Sequence, residues 1–503
     1  MASTFFGLTI AYSGLQAANT SLTITGHNVS NINTKGYTKQ QAGTQAADAL
    51  RTHTTYGAIG SGVVVTEISQ IRDSYYDVKY RNNMANYGQY SVKESYMGQI
   101  EDYLDEFTLN GYSQEYKNFF SAVNQLTITP GDTSAKNQLI NNAKSLADYF
   151  NTLTTNLRNV QADANNEIKD AVQQINSYAK NIAALNRQIN QIEANYGNAN
   201  DLRDKRNAMI DELSEIVNLE TSEEDMGNNV SNFSVRINGQ TLVSSYSYNT
   251  LETVARTDKK NYSDAEGLYD VQWNSGQKFD MYSTSLSGHL KGLIDIRDGN
   301  NGEHENIETD DDGNNVTDSD GNLVLTTAPA ADKTVSYKGV PYYQAQLNEF
   351  AKIFSDAVNK IMKSGYTSDG SSKGISLFVT QPNTTVMSAG NITVNPELLK
   401  NADLLAIKKE QNDGESDAKI MEELNKLQSE KIFAGGTGSY FLESIVSDMS
   451  IDSQKAVNLY KNYTDLKTSI HNQRLSIMGV DTDEEAMDMI CLLYTSDAAD
   501  EGL

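Results

Sequence analysis

Cysteine, proline and tryptophan are scarce in this 503-residue chain, with one, five and one copies, and each scarcity removes a class of explanation. The lone Cys491 has no partner for a disulfide and completes no paired-cysteine metal site. No proline falls between Pro130 and Pro329, so nothing there forbids long helices. No apolar run approaches the roughly 20 residues of a membrane span. Basic residues are outnumbered 40 to 66 by acidic ones, which argues against nucleic acid or an anionic membrane as partner, because phosphate contacts need clustered cations. The five histidines are scattered with no His-Glu-x-x-His spacing, and neither a Gly-x-Ser-x-Gly elbow nor a phosphate loop occurs. No catalytic constellation, cofactor site or metal site is therefore expected.

What is present begins at the N-terminus. Leu8, Leu15, Leu22 and Val29 recur every seven positions, with Ala11, Ala18, Thr25 and Ile32 three residues after each. That is the seam of a helix that needs a partner helix. No residue from Met1 to Thr34 carries a full charge, a composition suited to packing inside an assembly rather than to a solvated surface. The pattern stops at Asn28-Val29-Ser30-Asn31, and Gly36 and Tyr37 follow in what reads as a helix exit, since Asn and Ser bond their own backbone and Gly accepts a positive φ. The N-terminus lacks the basic region and continuous apolar core of a secretory signal, which taken alone points to the cytoplasm.

A connector with one or two strands is expected up to Gln70, then a helix from Asp73 to about Glu106 and a shorter one from Gln114 to Leu126. Alternating steps of three and four, from Leu139 through Val160 and from Ile168 through Ile192, predict one long helix over 133–196, with a stutter between Val160 and Ile168. A capped helix follows from Asn200 or Asp201. Its alternating charges read as a solvated face with local ion pairs. Beyond Glu224 the period becomes two. Asn238-Gly239 predicts a type I′ hairpin, and short strands are expected at 269–273, 278–282, 377–380 and 392–394. The runs Asp310-Asp311-Asp312-Gly313 and Asp318-Ser319-Asp320-Gly321 invite a calcium loop. Counting from Asp310, however, places Asn315 where Gly is required and Gly321 where the closing Glu is required, so a solvated hairpin insert is the better reading. Helices return at 345–363, 418–430 and 440–478. Thr482 and Glu485 have the spacing of a capping box, opening a last helix expected to end near Ile490.

Ser13-Gly14-Leu15-Gln16-Ala17, Asn28-Val29-Ser30-Asn31 and Thr34-Lys35-Gly36-Tyr37-Thr38 together resemble the N-terminal signature of the flagellar axial proteins. Leu202 to Leu213, Gly292-Leu293 with Arg297-Asp298, and Val480 to Ala486 resemble, in the same order, the hook-associated branch that makes the first junction between hook and filament. The resemblance implies a structural protein, exported by the flagellum's own apparatus with a cytoplasmic chaperone and without a cleaved signal. It also implies assembly into a ring with copies of itself, between the hook protein and the next junction protein. Assembly-interface residues are then Leu8, Leu15, Leu22, Val29 and Ile32, and the signature turn is Asn28, Asn31, Gly36 and Tyr37.

The expected fold is mainly α: a long helical-bundle or coiled-coil rod built from both chain ends, with an inserted mixed α/β, β-rich domain. Its divisions are 1–50 (axial helix and connector), 51–225 (first part of the rod), 226–412 (insert), 413–480 (second part of the rod), 481–490 (start of the last helix) and 491–503. The final thirteen residues show no heptad and read as foreign to the natural C-terminus, which would leave the N-terminal seam without an intrachain partner and its helix mobile. The rival readings are a hook or distal-rod protein, which would not carry the long heptads of 133–196, and an extracellular enzyme or adhesin using 226–412.

Overall fold

The computed structural model describes residues 6–51, 57–104, 112–310, 312–329, 335–414 and 416–501. The chain is mainly α with several small sheets. Its spine is α4, Thr133–Glu193, 61 residues without a break and about 92 Å long at 1.5 Å per residue. Asp132 caps it by accepting the Ser134 amide. The stripe Leu139, Leu146, Phe150, Leu153, Leu157, Ala164, Ile168, Ile175, Ile182 and Ile189 is buried, while Ile192 stays 41% exposed. At the stutter two amides, Gln161 and Asn165, also enter the core with partners. Gln161 donates to Asp264 and to the Arg297 carbonyl, and Asn165 accepts from the Tyr269 amide. A stutter widens the buried stripe, and polar side chains occupy it only because their bonds are made.

Around the spine lie α2 (Ser74–Leu104), α3 (Tyr112–Ile128), α5 (Asn200–Ile216), α6 (His289–Asp298), α7 (Val340–Ser364), α8 (Pro396–Lys400) and α9 (Lys419–Lys426). The expected end of α2 near Glu106 falls outside the described residues. Next, α10 (Gly438–Met478) packs along α2, bringing the late helices onto the early ones. Near the start of the spine, Tyr116, Phe119 and Phe120 of α3 meet Phe150, Phe350, Phe354, Phe378, Phe433 and Phe441, with neighbouring ring centroids 4.8–6.3 Å apart. Gly438 opens α10 against this cluster, and a Cβ there would lie 2.4 Å from the Tyr116 hydroxyl.

The largest sheet pairs Glu220–Asp225, Ser231–Ile237, Gln240–Ser244 and Ser247–Tyr248 in sequence order. Asn238 and Gly239 have φ of 50° and 76°, the two left-handed residues that a type I′ turn requires. Trp273 is buried against Phe279. Lys278 makes a single bridge to Gln272, so the strand expected at 278–282 is not formed. Each acidic run is a hairpin tip folded on its own aspartate: Asp310 accepts the amides of Asp312 and Asn314, and Asp318 those of Asp320 and Asn322. Asp311 lies outside the described residues.

Two helices form the chain's ends, α1 (Phe6–Asn31) and α11 (Thr482–Glu501), and they lie side by side. The expectation that the last helix stops near Ile490 and leaves α1 unpartnered is corrected. Residues 491–501 contain no Pro or Gly, and intrinsic propensity carries the helix on. Its least exposed positions, Glu485, Met489, Leu492 and Ser496, fall at steps of four, three and four. Asn200 does not cap α5. Ala199 occupies the cap position without a side-chain bond, and Asn200 reaches the Ile68 carbonyl instead.

Candidate functional site

At its exit, α1 meets α2, α5, α10 and α11. On α1 itself the buried positions are Ala17, Ala18, Ile24, Thr25 and Asn28. Of the expected seam, Leu15, Leu22 and Val29 are half-buried, while Leu8 and Ile32 are 43% and 38% exposed. The helix is rotated so that small residues make the close approach and the leucines lie on the flank. On the α1–α11 pair, Tyr12, Met487, Ile490, Leu493 and Tyr494 are all more than half exposed, at 60, 62, 55, 51 and 75%.

The turn itself closes as its residues dictate. The Tyr37 amide donates to the Thr34 carbonyl at 3.1 Å, and the Thr34 amide to the Asn31 carbonyl at 2.8 Å. Gly36 has φ +81°, and a Cβ there would stand 3.0 Å from the Cβ of Ala208. Asn31 serves the turn locally, donating to the His27 carbonyl and accepting from the Thr34 hydroxyl. Asn28 reaches further. Its Oδ1 accepts from the Gln40 amide at 3.0 Å and the Tyr37 hydroxyl at 2.8 Å, and its Nδ2 donates to the Gln40 carbonyl and to Glu485. Every bonding position of this buried amide is used. His27 Nδ1 lies 3.0 Å from the Tyr37 oxygen, whose proton goes to Asn28, so this geometry assigns the ring proton to Nδ1.

Glu485 is the partner the sequence reading missed. It is only 1% exposed, with Lys39 Nζ at 3.1 Å, while Glu484 holds the same ammonium at 3.0 Å. Burial works against the Lys39 charge, but the two glutamates outweigh it and hold its pKa above the ordinary lysine value. The expected capping box is corrected here. Asp481 caps α11 by accepting the amides of Asp483 and Glu484, which frees the Glu485 side chain to cross to α1.

A second correction concerns α5. Its charges are not a solvated face, because Asp204 and Arg206 are 5% and 2% exposed. Asp204 accepts from both the amide and the hydroxyl of Thr38, at 3.0 and 2.7 Å. From Asp204 an alternating file of charges runs through Arg72 (3.5 Å), Asp77 (2.6 Å), Arg474 (2.8 Å) and Asp211 (2.6 Å) to Arg81 (2.7 Å). It crosses α5, α2 and α10 and returns. Burial pushes the Asp204 pKa up against the pull of Thr38 and Arg72, and burial followed by the charges of Asp201, Asp204 and Glu485 pushes the Tyr37 phenol up. Lys35 pairs with Glu212 at 2.6 Å. Beneath the turn lies a groove of about 680 Å³, lined by Ile32, Tyr80, Met84, Ala208, Leu475 and Met478 among others. The arrangement spends nearly all of its donors and acceptors on one another, Arg474 Nε being buried without a hydrogen-bond partner among the described residues. What it does chemically is fasten five elements of one chain.

Fold and site thus define a mainly helical structural protein whose elaborated site is a clasp between its own helices. Residues 97–378 match the family model of the flagellar hook-associated protein FlgK helical domain, and the chain belongs to that family. It is 26% identical over 523 residues to flagellar hook-associated protein 1 of Bacillus subtilis strain 168, covering 99% of this chain and 96% of that one. The corresponding protein of Salmonella typhimurium is 27% identical, covering 94% of this chain and 93% of that one. Among solved structures, the flagellar hook junction protein FlgK of Burkholderia pseudomallei shares the fold at a TM-score of 0.62 and 14% identity, covering 80% of this chain and all of that one. The family is one of structural flagellar proteins, so the chain is a component of the flagellum and not an enzyme.

Proposed function

We infer that this chain joins hook to filament as copies arranged in a ring, with the hook protein below and the next junction protein above. The observation that carries the reading is the α1–α11 pair. Its polar contacts between Asn28, Lys39 and Glu485 are buried and bonded, whereas Leu8, Tyr12, Met487 and Ile490 are exposed to solvent. Exposed apolar side chains along both helices of the pair mark it as a surface for another protein to cover. Leu15, Leu22, Val29 and Ile32 border that face, and Asn28, Asn31, Gly36 and Tyr37 fix the angle at which it leaves the rest of the molecule. On this reading the two helical arms, 51–225 and 413–480, form one rod, 226–412 is an insert carried on it, and the chain reaches its place through the flagellar export apparatus with a cytoplasmic chaperone.

The test is negative-stain microscopy of flagella from a strain lacking the gene and complemented in turn with the wild type and with a Leu8→Asp/Tyr12→Asp variant. Both positions are exposed, so the fold survives the change. Bare hooks in the deletion, filaments with the wild type and bare hooks with the variant are expected. Filaments in the deletion strain would overturn the junction role, and filaments on the variant would remove this face from assembly.

A further inference from the structure

The groove of about 680 Å³ beneath the exit turn has apolar walls, and two of its side chains, Ile32 and Leu475, stay exposed to solvent there. Its charges are already committed. Arg72 is held by Asp77, Asp211 by Arg81 and Arg474, and Lys35 by Glu212, while the Lys467 ammonium lies 3.8 Å from the centre of the Tyr87 ring. What is left over is the Glu215 carboxylate, which makes no ion pair among the described residues. The residual charge is negative. An acidic segment entering the groove would be repelled, and a charged side chain of either sign would have to give up its water for an apolar wall.

In a chain of net charge −26, few surfaces meet that requirement. Residues 1–34 are the longest stretch of the sequence without a charged side chain. The next longest, 374–396, spends its apolar residues on its own core, where Phe378, Val386, Ile392 and Val394 are buried. On α11 the exposed Met487 has Glu484 one turn before it and Asp488 beside it. On α1, by contrast, Leu8 and Tyr12 are exposed, stand one turn apart on the same face, and have no charge around them on the helix. The Tyr12 hydroxyl is in addition a donor that a free carboxylate such as Glu215 accepts.

The two surfaces sit at opposite ends of one helix. Leu8 and the exit at Asn31 are about 35 Å apart at 1.5 Å per residue, so helical α1 cannot bring its own start into its own groove. A second copy can. The contact then runs head to tail, and contacts of that kind close into rings or continue as open series.

We propose that the groove beneath the exit turn takes the start of α1, through Leu8 and Tyr12, from a neighbouring copy of this chain. The inference rests on the ring reading above and deepens it, because it names what the exposed start of α1 meets. The turn at Asn28, Asn31, Gly36 and Tyr37 then has a second use: besides directing its own helix, it roofs the seat of the next one.

Proximity in assembled flagella tests it. In the full chain the native cysteine is removed (Cys491→Ser), and Gln16→Cys, one turn beyond Tyr12, is combined with His471→Cys on the groove wall, both positions being exposed. Flagella isolated from cells carrying this chain are oxidised and run on a non-reducing gel. Docked neighbours bring the two positions within the roughly 7 Å between Cα atoms that a disulfide spans. Because the contact is head to tail, a ladder of trimers and larger species is expected from the paired cysteines, and nothing above a dimer from either cysteine alone. Filaments without a ladder would overturn the proposal. So would a bridge from His471→Cys to a different flagellar protein, since the occupant would then be another chain. Should the paired variant carry no filaments, the same oxidation of the purified full chain at high concentration reads the contact directly, and absence of a ladder there overturns it equally. Filaments in the deletion strain would instead remove the junction role itself, so the two failures are told apart.

Discussion

At the Thr133 end of α4 the surrounding helices are joined by packed aromatic rings, and at the Glu193 end by a file of charges and a fully bonded asparagine. The two ends do different work. Rings 4.8–6.3 Å apart exclude water, and each pair adds about 0.5–1.5 kcal/mol beyond the area it buries. They tolerate small shifts in angle. The clasp gains little net stability, since bringing charges out of water offsets much of their attraction. It does demand one geometry, because Asn28, Asp204 and Arg474 each lose partners if any helix rotates. The aromatic end supplies stability and the polar end fixes direction.

Three substitutions sharpen that contrast. Phe354→Ala empties the centre of the ring cluster and is expected to cost about 3–5 kcal/mol of global stability, read as a lowered midpoint in urea unfolding. An unchanged midpoint would show that the cluster is not the stabilising end. Glu485→Ala leaves Asn28 short of an acceptor and Lys39 with Glu484 alone, at about 2 kcal/mol. Here the loss should be local: hydrogen exchange at the Gln40 amide quickens while the urea midpoint hardly moves. A global loss as large as that of the phenylalanine would erase the distinction. The smallest effect concerns Asp356 on α7, whose pKa burial and then the nearby Asp318 raise to about 6. The unfolded chain loses this proton near pH 4 and the folded chain near 6, so the wild type loses stability as pH rises through that window. Asp356→Asn should match the wild type near pH 4 and exceed it by about 1 kcal/mol above pH 6, once the solvent still reaching the group is allowed for. Equal thermal stability at both pH values would show that the carboxyl carries no strain.

Long-period elements were legible because their signal is repetitive. The spine emerged to within three residues at its C-terminal end, and Asn238-Gly239 marked its hairpin, since each rests on local rules. The turn at Asn28, Asn31, Gly36 and Tyr37 was legible as a turn. Its partners were not, because Ala208 and Glu485 meet it only through the tertiary fold. On α5, Asp204 and Asp211 are seven residues apart and share a face, a hint that the alternating charges concealed. Glu485 was misassigned for a related reason. A helix-start glutamate has a local use, and Asp481 had already met that need. The flank position of Leu8 and Leu15 was unreadable too, since periodicity names a face but not which neighbour it meets, and here small residues took the inner place.

The bond between Asn28 and Glu485 spans 457 residues of sequence. Loop closure across such a distance is paid for only when little else remains to be ordered. The spine and the sheets form from much nearer neighbours, so the clasp is expected to close late. Until it does, α1 is held by the strands that follow its exit turn, for example through the Val63 amide donating to Ser13 Oγ, without the last helix beside it. The two ends of the chain are therefore fastened or loosened together, and a change at Glu485 is felt at Asn28.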